Sequence, residues 1–337
     1  MHVNFDDQVR SRWIARVAMA GGLLGLAAGA VLFISLHSRA GAEPPARATD
    51  NPLRTATIGQ PAPQPVAPSK SAEIVASGAP SSVGSSDKAA MSVAPAAGEM
   101  PAGQSPLDPA LDLAHKVLDN IQKNVKDYTA VIVKQERING TLLEPEYMNA
   151  KVRQKPFSVY LKFLKPDSMK GREVIYVAGA NNGKLVAREG SGLKRALGAV
   201  WLDPTSALAM IDNRYPITNL GLEFLTKRLV EIAEQDRKYG EVEVHFYKNA
   251  KVNNRVCTMI EVIHPTPRRN FMFYKAQVFV DDELQVPIRY QAYLWPKKPG
   301  DEPPLDESYT YLNLKLNAGL TDADFDYKSP NYGFVDK

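Results

Sequence analysis

From Tyr128 to Leu316 the chain alternates apolar and polar side chains with a period of two, interrupted once by a helical interval. In the first half, strands are expected over Tyr128 to Ile138, Glu146 to Gln154, Phe157 to Leu164, Glu173 to Ala178 and Lys184 to Arg188. Phe157, Val159, Leu161 and Phe163 alternate cleanly with Ser158, Tyr160, Lys162 and Leu164. Asn139-Gly140 and Asn181-Asn182-Gly183 are turn sequences, so these strands form an antiparallel meander. In the second half, strands are expected over Glu241 to Tyr247, Arg255 to His264, Phe271 to Val280, Val286 to Trp295 and from Ser308 onward. Asn253-Asn254 and Asp281-Asp282 mark turns there. The closing strand alternates Tyr309 and Tyr311 against Thr310 and Asn313, and Asn317 and Gly319 stop it. Thr321 then caps one helical turn that brings Phe325 back under the sheet.

Helical spacing replaces alternation in three places. Leu111, Ala114, Leu118, Ile121 and Val125 predict a helix from Pro109 to about Lys126, with Asp108 as its N-cap. Asp203 to Met210 reads as a short helix. Thr218 to about Lys238 reads as a longer one, with Leu222, Leu225, Leu229 and Ile232 on one face. The expected architecture is α+β: one antiparallel sheet of about ten strands, which must curl at that width. An N-terminal helix and central lid helices cover its concave face.

The N-terminal third behaves differently. Residues 38–127 contain no Phe, Trp or Tyr. Val17 to Leu36 carries no charge and, as a helix, matches one bilayer core of about 30 Å. Arg10, Arg12 and Arg16 precede it, which places the N-terminus in the cytoplasm. The expected organisation is a cytoplasmic segment 1–16, a single-pass inner-membrane anchor 17–36, a disordered linker rich in Pro, Ala and Ser at 37–105, and an exported domain at 106–337. A cleavable signal peptide is the competing reading, because Ala40-Gly41-Ala42 has a small-x-small form.

Charge and composition narrow the chemistry. A net charge of +4 without a dense basic stripe argues against nucleic acid as a partner. A single cysteine, Cys257, rules out an internal disulfide. The chain holds no Gly-x-Ser-x-Gly, His-Glu-x-x-His, paired Cys-x-x-Cys or phosphate-binding glycine loop, so a non-enzymatic role without a cofactor is expected. Ser85-Ser-Asp-Lys88 lies in the linker, with no fold to orient it. His245 and His264, with Glu243 or Glu261, are a metal set in composition only, because strand histidines are more often surface or interstrand residues.

Two features remain as candidates. Phe157, Phe163, Met210, Phe224, Leu225, Met272, Phe279 and Phe325 supply apolar bulk for a cleft between sheet and helices. A packed core uses such residues equally well. Lys170, Arg172, Arg268 and Arg269 form a candidate basic rim for phosphate head groups or an acidic partner.

Lys170-Gly-Arg-Glu-Val-Ile-Tyr-Val177, with Asn181-Asn-Gly-Lys-Leu185 after it, resembles an uncharacterised family of bacterial envelope proteins related to the LolA/LolB-like carriers. So do Tyr311-Leu-Asn-Leu-Lys-Leu-Asn-Ala-Gly-Leu-Thr-Asp-Ala-Asp-Phe325 and Asn331-Tyr-Gly-Phe334, and the resemblance spans residues 107–335. It implies a half-barrel that shelters the acyl chains of lipids or lipoproteins under its helices. It equally implies, as the alternative, an envelope-stress sensor with a packed core that binds a partner protein. An enzyme acting on envelope lipid or glycan would instead need two carboxylates converging in a polar cleft. The long tether departs from the soluble carriers.

Overall fold

A computed structural model describes residues 91–93 and 104–334. The expectations for residues 1–16, the anchor 17–36 and most of the linker lie outside the described residues, and no described helix is long and apolar enough to cross a membrane.

The ten expected strands are all present. They are β2 (Asp127–Ile138), β4 (Glu146–Arg153), β5 (Ser158–Lys165), β6 (Glu173–Val177), β7 (Leu185–Arg188), β9 (Glu243–Val252), β10 (Arg255–Ile263), β11 (Lys275–Asp281), β12 (Pro287–Tyr293) and β13 (Leu305–Leu316). Three short strands join them: β1 (Met91–Val93), β3 (Thr141–Leu142) and β8 (Val200–Leu202). Strand β1 lies within the stretch 37–105 expected to be disordered, yet it pairs with Tyr247 to His245 of β9. The strands run β1-β9-β10-β11-β12-β13-β2-β4-β5-β6-β7-β8, with β3 on β2, as one antiparallel sheet. The two meanders meet where β13 pairs with β2 at the sheet's middle. Asn139 and Gly140 (φ 48° and 80°) and Asn253 and Asn254 (φ 45° and 66°) adopt the left-handed backbone that tight hairpins require.

Helix α1 (Asp108–Asn124) and helix α3 (Leu222–Asp236) lie side by side against the sheet; the short α2 (Gly192–Ala196) precedes β8. Leu111, Val117 and Ile121 of α1 and Leu222 and Val230 of α3 share one core with Val152, Val159 and Leu161 at one end of the strand order and Ile260, Val280 and Ile288 toward the other. One helix pair touches strands that far apart only if the sheet curls around it. The result is the α+β curved half-barrel with covering helices that the sequence pattern and the resemblance imply.

A second layer covers the opposite face. Val159 and Leu161 belong to the helix-side core, whereas Tyr160 joins Ile175, Val186, Phe325, Tyr332 and Phe334 in a separate cluster. Strand alternation puts these two sets on opposite faces. The C-terminal segment Thr321–Phe334 therefore lies across the outer face. It is fastened by Lys151 to Asp324 (2.7 Å), Arg188 donating to the Gly333 carbonyl (2.8 Å), and Tyr332 stacked on Tyr160 at 4.3 Å. Asp324 accepts from the Thr321 amide (2.9 Å) and hydroxyl (3.2 Å), closing the turn expected there.

Two local expectations are corrected. Asp203 to Met210 forms turns, because the Asp203 carboxylate accepts from the Thr205 amide (2.7 Å) and hydroxyl (2.6 Å) while the Ser206 hydroxyl donates to the Asp203 carbonyl (2.7 Å). These local bonds compete with helix nucleation in so short a segment. Asp108 is the first residue of α1 rather than its cap. Its carboxylate reaches back to the Ser105 amide at 2.9 Å and sideways to Arg237.

Candidate functional site

The apolar seam lies between the two helices and the second-half strands. Leu107, Ala110, Leu113, Ala114 and Val117 line one wall, and Leu229, Ile232 and Ala233 of α3 line the other. Ile260, Val262, Ala276, Val278 and Val280 of β10 and β11 form the floor. They line a partly open void of about 80 Å³. The seam exists because alanines occupy four lining positions (110, 114, 233 and 276) where longer side chains would meet. Of the two polar side chains in its wall, Thr226 is satisfied by donating to the Leu222 carbonyl at 2.8 Å. The other, Asp236, lies 3.3 Å from His264 Nε2.

His264 is fully buried. Its ring stacks on Phe271 (4.0 Å between centroids) and leans on Phe273, with Nδ1 3.1 Å from the Phe273 carbonyl. This pair ties the C-terminal end of α3 to the end of β10. The outer edge of the helix pair is held by exposed polar contacts: Asp108 with Arg237, His115 with Glu234 (3.6 Å), and Gln122 donating to Glu223 (3.1 Å). The Arg237 guanidinium holds the Asp108 carboxyl below its usual value. Exposed pairs of this kind add little stability. At its far end α1 is also held by exposed hydrogen bonds, Asn120 donating to the Gln285 carbonyl (3.1 Å) and Asn317 to the Asn124 carbonyl (2.8 Å).

None of the eight expected cleft residues lines this void. Phe163 and Phe279 are buried in the main core, with Phe157 and Leu225 packed at its margin. Phe224 and Met210 are half-buried, and Met272 is exposed. Phe325 lies on the opposite face, under the C-terminal segment. The four basic residues are likewise spread out. Arg172 pairs with Glu189 (2.9 Å) beside β6, Arg268 pairs with Glu241 before β9, and Lys170 and Arg269 are exposed in separate turns. His245 stands opposite Glu261 in the ladder, away from the buried His264. Among the described residues no cluster of three or more His, Cys, Asp or Glu side chains is placed to hold a metal. Cys257 is buried, and that burial pushes its thiol up to about 12.

Sequence reasoning missed a buried carboxylate cluster at the junction of β2, β4 and β13. Tyr309 bridges Glu136 and Glu307, and Tyr290 donates to Glu307 at 3.3 Å. Arg214 covers this pair, reaching Glu307 (3.1 Å) and Asp306 (2.6 Å), while its backbone amide donates to Glu136 (2.9 Å). Lys134 lies between Glu136 (3.7 Å) and Glu146 (3.1 Å). Burial raises the Glu307 and Glu146 carboxyls above their usual values. Glu136 and Glu307 converge, but under Arg214 and Tyr215 rather than in an open cleft, and the cluster clamps the 203–220 loop onto the sheet. The signal was an acidic residue at an inward position of a strand (Glu136, Glu146, Glu307), which alternation alone reads as a register error.

A family model described as "Protein of unknown function (DUF1571)" matches residues 125–334. No curated protein matches. Among solved structures, a DUF1329 family protein from Desulfovibrio piger is 14% identical, covering 66% of this chain and 98% of that one, with a TM-score of 0.33. The Mycobacterium tuberculosis lipoprotein LppX is 14% identical, covering 65% and 100%, with a TM-score of 0.37. A LolA superfamily protein from Nitrosomonas europaea is 12% identical, covering 64% and 97%, with a TM-score of 0.25.

Proposed function

The chain belongs to the DUF1571 family of proteins of unknown function, and from that premise we propose that its half-barrel binds the acyl chain of a lipid or lipoprotein in the seam between α1 and α3. The observation that carries this reading is the void itself: about 80 Å³ lined almost wholly by apolar side chains, with Thr226 bonded to the Leu222 carbonyl and Asp236 facing His264 at 3.3 Å. A site of that composition offers water few hydrogen bonds and favours hydrocarbon. Each buried methylene contributes about 0.8 kcal/mol, so a chain of about ten outweighs the loss of the surface contacts that close the seam. At about 30 Å³ per water-sized group, the void holds roughly three such groups. Entry of a whole chain therefore parts the helices, and the contacts at their exposed edge, such as Asp108 with Arg237, give way.

We further propose that Val17 to Leu36 anchors the chain in the inner membrane, with the stretch between it and β1 as a tether and the domain in the periplasm. The chain then works within reach of the membrane that holds it rather than as a free shuttle.

Native mass spectrometry of the full chain, purified gently from membranes, tests the binding reading. The expected result is bound mass that organic solvent extracts as lipid. A bare mass that stays bare after incubation with lipid extract and with lipoprotein removes the carrier reading and leaves a packed interaction domain.

A further inference from the structure

The outer face of the sheet carries a second concavity that the acyl-chain reading does not use. It runs across β13, β2, β4 and β5, and its volume is about 520 Å³, within the usual range for a small-molecule site. Register defines its floor: Thr129, Lys151 and Tyr160 align in one row, and Val131, Asn149 and Lys162 in the next. Ala130 and Ala150, between these rows, point into the helix-side core, so the groove and the apolar seam lie on opposite sides of the sheet. The C-terminal segment builds one wall with Asn331 and Tyr332, and Asn313 of β13 stands at the other margin.

Three features give this groove a chemical preference. Asn149 in the floor and Asn313 and Asn331 at its margins are all exposed, and each amide can donate and accept at once, the pattern that adjacent hydroxyls present. Asn313 is placed by a bulge: its φ is 52°, and the β13–β2 register shifts between Leu312 and Lys315. Bulges re-aim a side chain out of the regular ladder. Both lysines are already neutralised, Lys151 by Asp324 at 2.7 Å and Lys162 by Glu173 at 3.4 Å. The lysines inside the groove are therefore ion-paired, whereas Lys315, opposite Thr129 in the ladder, is exposed beside it. Val131 and the Thr129 methyl supply an apolar patch among the polar side chains of the floor. An apolar patch flanked by amides matches a pyranose ring, whose C–H face is apolar and whose edge carries hydroxyls.

We infer that this outer groove is a saccharide-binding site for an oligosaccharide, held by the amides of Asn149, Asn313 and Asn331. Two stretches that stood out in the sequence, the closing strand with its turn and Asn331-Tyr-Gly-Phe334, converge here and supply one wall and one margin.

The test is saturation-transfer NMR on the full chain in a polyoxyethylene detergent, since a glycoside detergent would occupy the groove. Chitotriose, maltotriose and inorganic phosphate are titrated separately. The inference expects saturation of at least one trisaccharide. It also expects at least tenfold weaker binding in the N149A/N331A double variant and in N313G, which keeps the bulge's backbone freedom while removing the amide. All three positions are exposed, and unchanged thermal midpoints establish that the variants fold. Transfer to neither sugar, or equal transfer in wild type and variants, overturns the inference. Phosphate binding in the absence of sugar binding overturns it in favour of an anion site. Acyl-chain loading is read separately by mass, so failure of one reading leaves the other standing.

Discussion

Filling the seam tests packing and function together, because the two readouts move in opposite directions. Ala233→Leu on α3 and, separately, Ala114→Leu on α1 place a branched side chain into the void of about 80 Å³. At roughly 24 cal/mol per Å³, a void of that size costs the fold about 2 kcal/mol relative to a filled core. Leucine is nearly as good a helix former as alanine, so the backbone cost is small. Each variant is therefore stabilised by up to about 2 kcal/mol. For a domain of this size that is a rise of roughly 4–8 °C in midpoint. Acyl-chain binding falls at least tenfold, because the inserted side chain takes the space the methylenes need. Urea unfolding of delipidated protein gives the first quantity, and displacement of a fluorescent fatty acid gives the second. Binding at wild-type affinity in both filled variants refutes the assignment of the seam. Destabilisation of both by more than about 1 kcal/mol refutes the void, since overpacking then dominates.

Other predictions follow from particular contacts. His264→Ala removes a ring stacked on Phe271 and tilted against Phe273 and leaves the buried Asp236 without its neighbour; a loss of about 3–5 kcal/mol is expected in urea unfolding, and a loss below about 1 kcal/mol contradicts the role of this pair in tying α3 to β10. The Glu307 carboxyl is raised by burial, so the stability it contributes is present in acid and is lost as pH rises through its folded value above 4.5. Glu307→Gln, a neutral mimic of the acid form, therefore gains on wild type as pH rises from about 4 to 8, and a pH-independent difference between the two contradicts the assignment. Asp281, lowered chiefly by Arg255 against its burial, behaves oppositely: the stability it adds is present above 3.8 and is lost as pH falls through its folded value, and Arg255→Met removes that acid-side loss. At Gly190 an added Cβ falls 2.1 Å from the Lys170 carbonyl oxygen and 2.4 Å from the Gly171 carbonyl carbon. Gly190→Ala therefore costs at least about 1–3 kcal/mol, and wild-type stability in that variant disproves the close approach.

The sequence by itself determined the ten main strands, the hairpin turns at Asn139-Gly140 and Asn253-Asn254, and both long helices, because each follows from side-chain period or from one residue's backbone freedom. It also pointed to the curled sheet, since ten or so antiparallel strands have few other ways to bury one face. Tertiary structure alone decided which apolar residues make a site. The expected cleft was read from bulk, and bulky residues such as Phe163 and Phe279 fill the core. The void lies instead beside Ala110, Ala114, Ala233 and Ala276, because empty space is left by small side chains and leaves no pattern of its own. Phe325 was expected in the cleft and lies on the far face, since alternation separates two faces but does not say which one the helices cover. The carboxylates of β2, β4 and β13 were likewise unreadable as a group. Glu136, Glu146 and Glu307 are distant in sequence, and only β13 pairing beside β2, with Arg214 closing over both, brings them together.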